Sequence, residues 1–353
     1  MGIEWDGPME DYPLENYPDY APGKPPQLEK LHSIGYLEEM ERIWGKKWGG
    51  YQGIGKLREV ALIRPTEVEV NRLWEKDLTF FMMRFGKPDL DLLRKQHDAY
   101  AKILEAEGVK VHWMTIDNPW GAYGPMRKLY MASEVMVING GAILSRFGHG
   151  SWKRGLNPHF QKFLASIGCP ILYMVHGKGI CEVGPWRPVA ENVIIGHLGI
   201  AANQEGIDQV TQVLKRNNFE EVPVARMQTF MDSLEAAGEF HIDMVLGILD
   251  IRKAVVYPAN LDYEIYKWLK GHKFELIEIP QDEHKRYVPA NLVTLEPGKV
   301  IMPAGAEKTI RAARKLGVKV VEIETVELLK GGTNGISCTT LALVRDPGPS
   351  LKD

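Results

Sequence analysis

The fold is decided by DMVLGILDIRKAVVYP (Asp243–Pro258), LDYEIYKWLKG (Leu261–Gly271) and KFELIEIP (Lys273–Pro280), which follow one another in the chain. Two apolar stretches separated by a short polar turn predict a pair of strands. The middle segment repeats apolar residues at helical spacing and ends at a glycine, and the last stretch predicts a third strand. This part of the chain therefore predicts a ββαβ unit.

The same order of elements recurs along the chain. The other copies begin at EVALIRP (Glu59–Pro65), EVMVINGGAILSRFG (Glu134–Gly148), ENVIIGHLGI (Glu191–Ile200) and ANLVTLEPGKVIMP (Ala290–Pro303). Repeats of about 50 to 60 residues are typical of closed or stacked arrays, because a single unit cannot bury its own sheet face. We therefore predict an α/β protein whose five ββαβ units close into a ring, the simplest arrangement without an exposed end.

An open, doubly wound α/β sheet is the alternative fold. Two features argue against it: a pair of strands precedes each helix, and no GxGxxG motif follows the first strand. In a ring, loops from different units converge near the axis. We therefore expect catalytic residues that lie far apart in the sequence, at equivalent unit boundaries.

Composition and charge exclude several classes of protein. The 353 residues are 44% hydrophobic and 25% charged, as in globular proteins. The net charge of −3 lacks the excess of positive charge that is typical of nucleic-acid-binding proteins. No apolar run approaches the ~20 residues that span a bilayer. The N-terminal stretch is acidic, unlike a signal peptide. Only three cysteines are present, which favours a reducing compartment and predicts a cytoplasmic enzyme.

The N-terminal part of the chain differs from the repeats. It is rich in Pro, Tyr and Trp and shows little periodicity. We predict an N-terminal arm over residues 1–54, with a short helix near Tyr36–Trp44, and a single catalytic domain over residues 55–353.

The most suggestive candidate site is the glycine-rich segment GGTNGISCTT (Gly331–Thr340). Glycines allow a ligand to approach the backbone closely. Cys338 follows these glycines, and we predict that it is the first residue of the last strand. A thiol there is a candidate nucleophile if its pKa falls below the ordinary value of ~8.5, in which case it reacts at unusually low pH. The alternative is a turn followed by a buried, inert cysteine.

Two further segments carry groups suited to proton transfer. His241 and Asp243 stand two residues apart at the opening of the fourth unit, and an extended backbone would place both on one face. Glu182 lies between apolar neighbours and a Gly-Pro turn, where a carboxylate could face the axis. The alternative for His241 and Asp243 is a pair on the protein surface. The alternative for Glu182 is an ordinary acid in a loop. No HExxH or CxxC set is present, so we predict neither a metal site nor a cofactor.

Taken together, these segments resemble the guanidino-group-modifying superfamily, which includes arginine deiminase, dimethylarginine dimethylaminohydrolase, agmatine deiminase and the amidinotransferases. The resemblance covers about residues 55–345. It rests on LREVALIRPTE (Leu57–Glu67), VINGGAILSRFG (Val137–Gly148), FHIDMVL (Phe240–Leu246) and the glycine-rich loop that ends in Cys338. It implies a pseudo-fivefold α/β propeller, in agreement with the repeats.

The resemblance also implies roles for the candidate residues. Cys338 matches the nucleophile and His241 the general acid and base, while Asp243 and Glu182 match carboxylates that bind the guanidinium. Ser133 matches a position where the family usually has an aspartate. Asn334, Gly335 and Arg154 are further candidates for substrate binding.

This chain departs from the family pattern at three places. Ser133 replaces a guanidinium-binding aspartate, and the neighbouring Glu134 would face away in a strand. Val183 and Pro185 stand where the family's Glu-Gly-Gly-Asp motif has its first glycine and its aspartate. Ala201 lies where many members carry an arginine that clamps a substrate carboxylate. These differences argue against free arginine bound in the usual way.

We therefore expect a cysteine-dependent hydrolase that attacks a small guanidino or amidino compound through a Cys-bound thiouronium intermediate. An amidinotransferase is the first alternative, since the His-Ile-Asp triplet is common in those enzymes, whereas Glu182 favours the hydrolase. A non-catalytic binding propeller is the second. We expect a small guanidino substrate and no binding to nucleic acid or membrane. The resemblance is also compatible with a homodimer.

Overall fold

The computed structural model describes residues 7–8, 11, 13, 21–24, 34–42, 44–65, 88–115, 134–148, 155–227, 239, 241–330 and 335–352. The helices in these ranges are α1 (Tyr36–Arg42), α2 (Leu90–Ala106), α3 (Asn157–Ser166), α4 (Gln204–Arg216), α5 (Tyr263–Gly271), α6 (Gln281–Tyr287), α7 (Glu307–Lys315) and α8 (Val326–Leu329). A short 3₁₀ helix covers Ile242–Met244.

Fifteen strands are present in the same ranges. They are β1 (Leu57–Leu62), β2 (Lys110–Trp113), β3 (Val135–Ile138), β4 (Gly141–Leu144), β5 (Ile171–Met174), β6 (Arg187–Ala190), β7 (Val193–Leu198), β8 (Val224–Arg226), β9 (Leu246–Asp250), β10 (Lys253–Val256), β11 (Glu275–Glu278), β12 (Val293–Glu296), β13 (Lys299–Pro303), β14 (Lys319–Ile323) and β15 (Leu341–Arg345).

The strands form five three-stranded sheets, so the fold is mixed α/β. Their strand orders are β15-β1-β2, β3-β4-β5, β6-β7-β8, β9-β10-β11 and β12-β13-β14, numbered here as sheets I to V. In each sheet the middle strand pairs antiparallel with the first strand and parallel with the third. Sheets II to V thus have the predicted ββαβ order, whereas sheet I takes its first strand from the C-terminal end of the chain.

Neighbouring sheets contact each other mainly through their first strands, and sheet I also contacts sheet V through its middle strand, β1. β15 of sheet I contacts β3, β6 contacts β9, β9 contacts β12, and β12 contacts β1. Sheets II and III are linked by backbone bridges from Cys181 to Arg146 and to Ala202. Each sheet therefore contacts two others.

The end of the N-terminal region packs on sheets I and II. The amide groups of Gly49 and Gly50 both donate to the carbonyl of Leu343, at 3.1 Å, and the amide of Tyr51 donates to the carbonyl of Val137 at 2.8 Å. A Cβ atom at Gly50 would lie 2.0 Å from the carbonyl oxygen of Ala342, so this close approach requires glycine. The short helix predicted near Tyr36–Trp44 is present as α1.

No helix in the described ranges is both long enough and apolar enough to cross a bilayer.

Candidate active site

Cys338 lies in a turn and not in the last strand. Residues 336–339 form the turn, and β15 begins only at Leu341. The prediction that the cysteine opens that strand is therefore wrong, because Ser337, Thr339 and Thr340 bond back within the turn or to Asn291 instead of extending the sheet. The side chain is buried, with 3% of the residue exposed.

Asn291, at the opening of the fifth unit, holds the turn and its thiol. Its Oδ1 accepts from the backbone amide of Ser337 at 2.9 Å and from that of Cys338 at 3.4 Å. Its Nδ2 lies 3.2 Å from Cys338 Sγ and donates to Asp243 Oδ2 at 2.8 Å. One buried amide thus fixes both the turn and the carboxylate beside the sulfur.

Gly335 is required by this arrangement. A Cβ atom at residue 335 would lie 2.2 Å from Asn291 Oδ1, closer than atoms can approach without a shift of the backbone. The resemblance assigned Gly335 to substrate binding. The structure places Gly335 against Asn291, where a side chain would not fit; its role in substrate binding stays a prediction.

His241 and Asp243 lie in one tight turn. Ile242–Met244 is a 3₁₀ helix with His241 at its N-cap, so the prediction of an extended segment is wrong. The backbone turns here because the amide of Met244 donates to the carbonyl of His241 and the amide of Val245 donates to that of Ile242. Both side chains are buried, which excludes the alternative of a surface pair.

Each of these two residues contacts another predicted site residue. His241 Nε2 lies 3.1 Å from Glu182 Oε2, and Asp243 Oδ2 lies 3.5 Å from Cys338 Sγ. Glu182 is fully buried, not an ordinary loop acid, and its backbone amide donates to the carbonyl of Ala201 at 3.0 Å. The structure thus brings the four residues together as two contacting pairs joined by residues 241–243.

Arg187, at the start of β6, is a cation that contacts the cluster. Its NH2 nitrogen lies 3.0 Å from Asp243 Oδ2 and also donates to the hydroxyl of Ser337. The carboxylate that the resemblance assigned to a substrate guanidinium is therefore already paired with a guanidinium of the protein. In the described part of the chain, Asp243 Oδ1 is buried and has no hydrogen-bond partner.

The environment of Cys338 favours the neutral thiol in the ligand-free protein. Burial raises its pKa well above the ordinary value, and the negative charge of Asp243 raises it further, while the hydrogen bond from Asn291 acts in the opposite direction. The condition of a thiol pKa below the ordinary value is therefore not met in the free protein. A nucleophilic Cys338 requires its proton to be removed when substrate is bound.

Three predicted site residues, Ser133, Asn334 and Arg154, lie outside the described residues. Glu134 is described and buried, and its carbonyl accepts from the hydroxyl of Ser145 at 2.5 Å. Sequence reasoning missed Asn291 and Arg187. An asparagine before a strand is typical of a turn and an arginine at a strand start is typical of a solvent contact, so neither position carried a usable signal.

Among the residues that the structure describes, no group of three or more His, Cys, Asp or Glu side chains is arranged to hold a metal ion. All three cysteines are buried free thiols.

The chain is similar to known proteins along almost its whole length. The arginine deiminase family model matches residues 250–345. A 2-nitroimidazole nitrohydrolase from Mycobacterium sp. (strain JS330) is 31% identical over 361 residues, which cover 97% of this chain and 94% of that protein.

Two further similarities extend this finding. The N(G),N(G)-dimethylarginine dimethylaminohydrolase of Pseudomonas aeruginosa is 25% identical over 267 residues, or 72% of this chain and 90% of that one. The solved structure of a variant of that enzyme with citrulline has a TM-score of 0.64 and covers 81% of this chain and 99% of its own. SxtG, an amidinotransferase from Microseira wollei, has a TM-score of 0.60 at 16% identity, with coverage of 86% and 98%.

The nearly full-length similarity at 31% identity and the shared α/β fold of five sheets lead to one conclusion. The chain belongs to the guanidino-group-modifying enzyme superfamily.

Proposed function

We propose that the chain is a hydrolase that uses Cys338 to attack an amidine-type carbon, one bonded to two nitrogens, in a small molecule. One observation carries the proposal: Cys338 Sγ is held 3.2 Å from Asn291 Nδ2 and 3.5 Å from Asp243 Oδ2. The amide and the carboxylate orient the sulfur, and the carboxylate accepts its proton. Such a carbon is a poor electrophile, so the reaction needs the strong nucleophile that sulfur supplies.

The reaction proceeds in two stages. Cys338 passes its proton to Asp243, and Sγ forms a bond to the carbon. The bond from this carbon to the leaving group then breaks. A leaving amine takes a proton from His241, which Glu182 orients at 3.1 Å. Water, giving a proton to His241, then attacks the thiouronium-type intermediate, and Sγ departs and recovers its proton. One water is consumed, and an oxygen replaces the leaving group.

The Arg187–Asp243 ion pair favours an uncharged substrate. A substrate guanidinium would meet a carboxylate whose charge is already balanced. The ring carbon of 2-nitroimidazole lies between two nitrogens and carries a nitro group, which can depart as nitrite without a proton. We therefore include nitro-substituted cyclic amidines in the substrate class, in line with the named activity of the relative from Mycobacterium.

Amidino transfer is the second candidate function. The His-Ile-Asp triplet at residues 241–243 favours it, and the two reactions share the first stage. An acceptor amine would replace water in the second stage. The non-catalytic alternative loses its support because the chain belongs to an enzyme superfamily.

We also propose that sheets I to V close into a pseudo-fivefold propeller. This is supported by the contacts that link each sheet to two others. Residues 55–353 would then form one catalytic domain, with residues 1–54 as an arm. A cytoplasmic location is supported by the three unpaired cysteines.

Intact-mass spectrometry of a His241→Asn variant tests the function. The variant is incubated with guanidines, acyclic amidines and 2-nitroimidazole. A covalent adduct on Cys338 is expected to accumulate with 2-nitroimidazole, because its leaving group needs no proton from His241 and water is no longer activated. The double variant Cys338→Ala, His241→Asn should form no adduct. The control variant His272→Asn, at the C-terminal end of α5, should consume substrate at the wild-type rate.

Turnover by the wild type separates the two reactions. Turnover in buffer alone supports the hydrolase, and turnover only with an added amine supports the transferase. The proposal is wrong if folded His241→Asn protein forms no adduct with any of these compounds and the wild type consumes none of them.

A further inference from the structure

Two hydrogen bonds from the repeated units hold the backbone that carries Glu182. The amide of Glu182 donates to the carbonyl of Ala201 at 3.0 Å, in the loop that follows β7. The amide of the next residue, Val183, donates to the hydroxyl of Ser145 at 3.0 Å, directly after β4. Sheets III and II therefore each contribute one contact to this buried segment.

A third hydrogen bond comes from the N-terminal region. The hydroxyl of Tyr51 donates to the buried carbonyl of Gly184 at 2.8 Å, although the two residues are 133 positions apart in the chain. Residues 182, 183 and 184 thus each make a hydrogen bond to a different part of the fold. The N-terminal region therefore takes part in fixing the backbone next to the carboxylate of Glu182.

The residue after Tyr51 fixes the position of the phenol ring. Gln52 Oε1 accepts from the amide of Asn139, in the turn between β3 and β4, at 3.0 Å. Gln52 Nε2 donates to Asn192 Oδ1, between β6 and β7, at 2.6 Å. Gln52 is thus bonded to sheets II and III, the same two sheets that hold the segment of Glu182. The Tyr51 side chain itself is buried, with 4% of the residue exposed.

The hydroxyl of Tyr51 stays protonated and remains a donor. Burial raises its pKa well above the ordinary value; the positive charge of Arg187 acts in the opposite direction, and the negative charge of Asp243 adds to the increase. Removal of this hydroxyl takes a donor away from a buried carbonyl, which is unfavourable, so the peptide at Gly184 is expected to shift.

A shift at Gly184 matters because of what Glu182 does two residues earlier. Glu182 Oε2 lies 3.1 Å from His241 Nε2, and both side chains are buried. A displacement of about 1 Å in an active site lowers the rate about 100-fold, so a smaller movement of this carboxylate is enough to affect the reaction.

We propose that Tyr51 is a positioning residue, whose hydroxyl holds Gly184 and thereby keeps Glu182 where its carboxylate orients His241. The kinetic form of this proposal rests on the function proposed above. There, His241 activates water in the second stage, whereas the first stage with 2-nitroimidazole needs no proton from His241. Loss of the Tyr51 hydroxyl should therefore slow the second stage and leave the first unchanged.

Rapid-quench intact-mass spectrometry of Tyr51→Phe with saturating 2-nitroimidazole tests this form. At steady state, the ratio of protein with the adduct to protein without it equals the rate constant of the first stage divided by that of the second. We expect this ratio to be about tenfold above the wild-type value, the effect of a displacement below 1 Å. A purely structural role would only reduce the amount of folded protein, which cannot raise the ratio. An unchanged or lower ratio therefore overturns the proposal.

Tyr36→Phe is the matched control. Tyr36 also belongs to the N-terminal region, and its hydroxyl also donates to a backbone carbonyl, that of Gly140, at 3.2 Å. The control thus removes the same group from a bond that does not involve the segment of Glu182, and it should keep the wild-type ratio. An equal increase in Tyr36→Phe and Tyr51→Phe would contradict the assignment to Gly184.

Crystal structures of the wild type and of the two variants test the positioning without any substrate. The distance between Glu182 Oε2 and His241 Nε2 should exceed 3.5 Å in Tyr51→Phe and stay near 3.1 Å in Tyr36→Phe. An unchanged distance in Tyr51→Phe overturns the proposal, whatever reaction the protein catalyses. A longer distance in a protein that consumes none of the compounds would uphold the positioning role and refute the proposed function.

Discussion

Gly335 and Asn291 are packed so closely that a methyl group at residue 335 would meet Asn291 Oδ1 at 2.2 Å. Gly335→Ala should therefore displace the turn that carries Cys338. We expect kcat/KM to fall by about 100-fold, because a displacement of about 1 Å in an active site has that effect. Gly271→Ala is the control, since its Cβ would meet no atom within 4 Å and it should keep full activity. Equal activity of the two variants would show that the turn does not depend on this contact.

The amide of Asn291 should matter for both catalysis and stability. Asn291→Ala removes the donor to Asp243 and Cys338 and the acceptor for the amide of Ser337. We expect urea titrations to show a loss of about 1 to 3 kcal/mol in the free energy of unfolding, the usual effect of leaving buried polar groups unpaired. Activity should fall at least 10-fold, measured at a temperature where the variant is folded. Asn217→Ala, at the C-cap of α4, should have wild-type kcat/KM, and a similar value for Asn291→Ala would refute the role of this amide.

Cys338 should react slowly with thiol reagents in the absence of substrate. Burial and Asp243 both raise its pKa, so the thiolate fraction at pH 8 is smaller than that of an ordinary cysteine. We expect alkylation by iodoacetamide at least about tenfold slower than that of an unstructured cysteine peptide, since each unit of pKa changes the thiolate fraction tenfold. Peptide mass mapping distinguishes Cys338 from Cys169 and Cys181, whose pKa values burial also raises. Rapid labelling of Cys338 below pH 7 would contradict this description of the site.

His97 should make the protein less stable in acid. It is buried on α2, and burial lowers its pKa to about 4. The unfolded chain binds a proton near the ordinary value of ~6.5, so the unfolded state gains protons first as the pH falls and stability is lost between about pH 6.5 and 4. At pH 5 the loss due to this residue is about 2 kcal/mol relative to pH 7.5.

Urea unfolding of the wild type and of His97→Leu at the two pH values measures this loss. The variant should lose about 2 kcal/mol less than the wild type on going from pH 7.5 to pH 5. The control variant His272→Asn, at the C-terminal end of α5, should lose as much unfolding free energy between pH 7.5 and pH 5 as the wild type does. Identical pH dependence in the wild type and in His97→Leu would exclude His97 as the cause.

Local patterns predicted much of the architecture. Alternating strands and amphipathic helices are visible within short windows, and the ββαβ order of sheets II to V follows from them. The pairing of β15 with β1 joins residues about 280 positions apart. A local periodic pattern in the sequence gives no information about such a distant contact. The closure of the five sheets into a ring stays a prediction.

The candidate site was predictable only where residue type suggested chemistry. Cys338, His241, Asp243 and Glu182 stood out as nucleophile, base and acids at unit boundaries, and the structure places them in two contacting pairs. Their local conformations were not predictable, because the turn at Cys338 depends on Asn291, which belongs to another unit. The Arg187–Asp243 ion pair likewise forms only when two units pack together.

The antiparallel pairing of β15 with β1 has a consequence for how the protein is made. Leu57–Leu62 leaves the ribosome about 280 residues before its partner Leu341–Arg345. Sheet I cannot be completed until that partner has been translated, and the high sequence separation of the contact slows folding. Until then the edge of β1 is an open hydrogen-bonding surface, so the nascent chain depends on its neighbours or on chaperones to avoid aggregation.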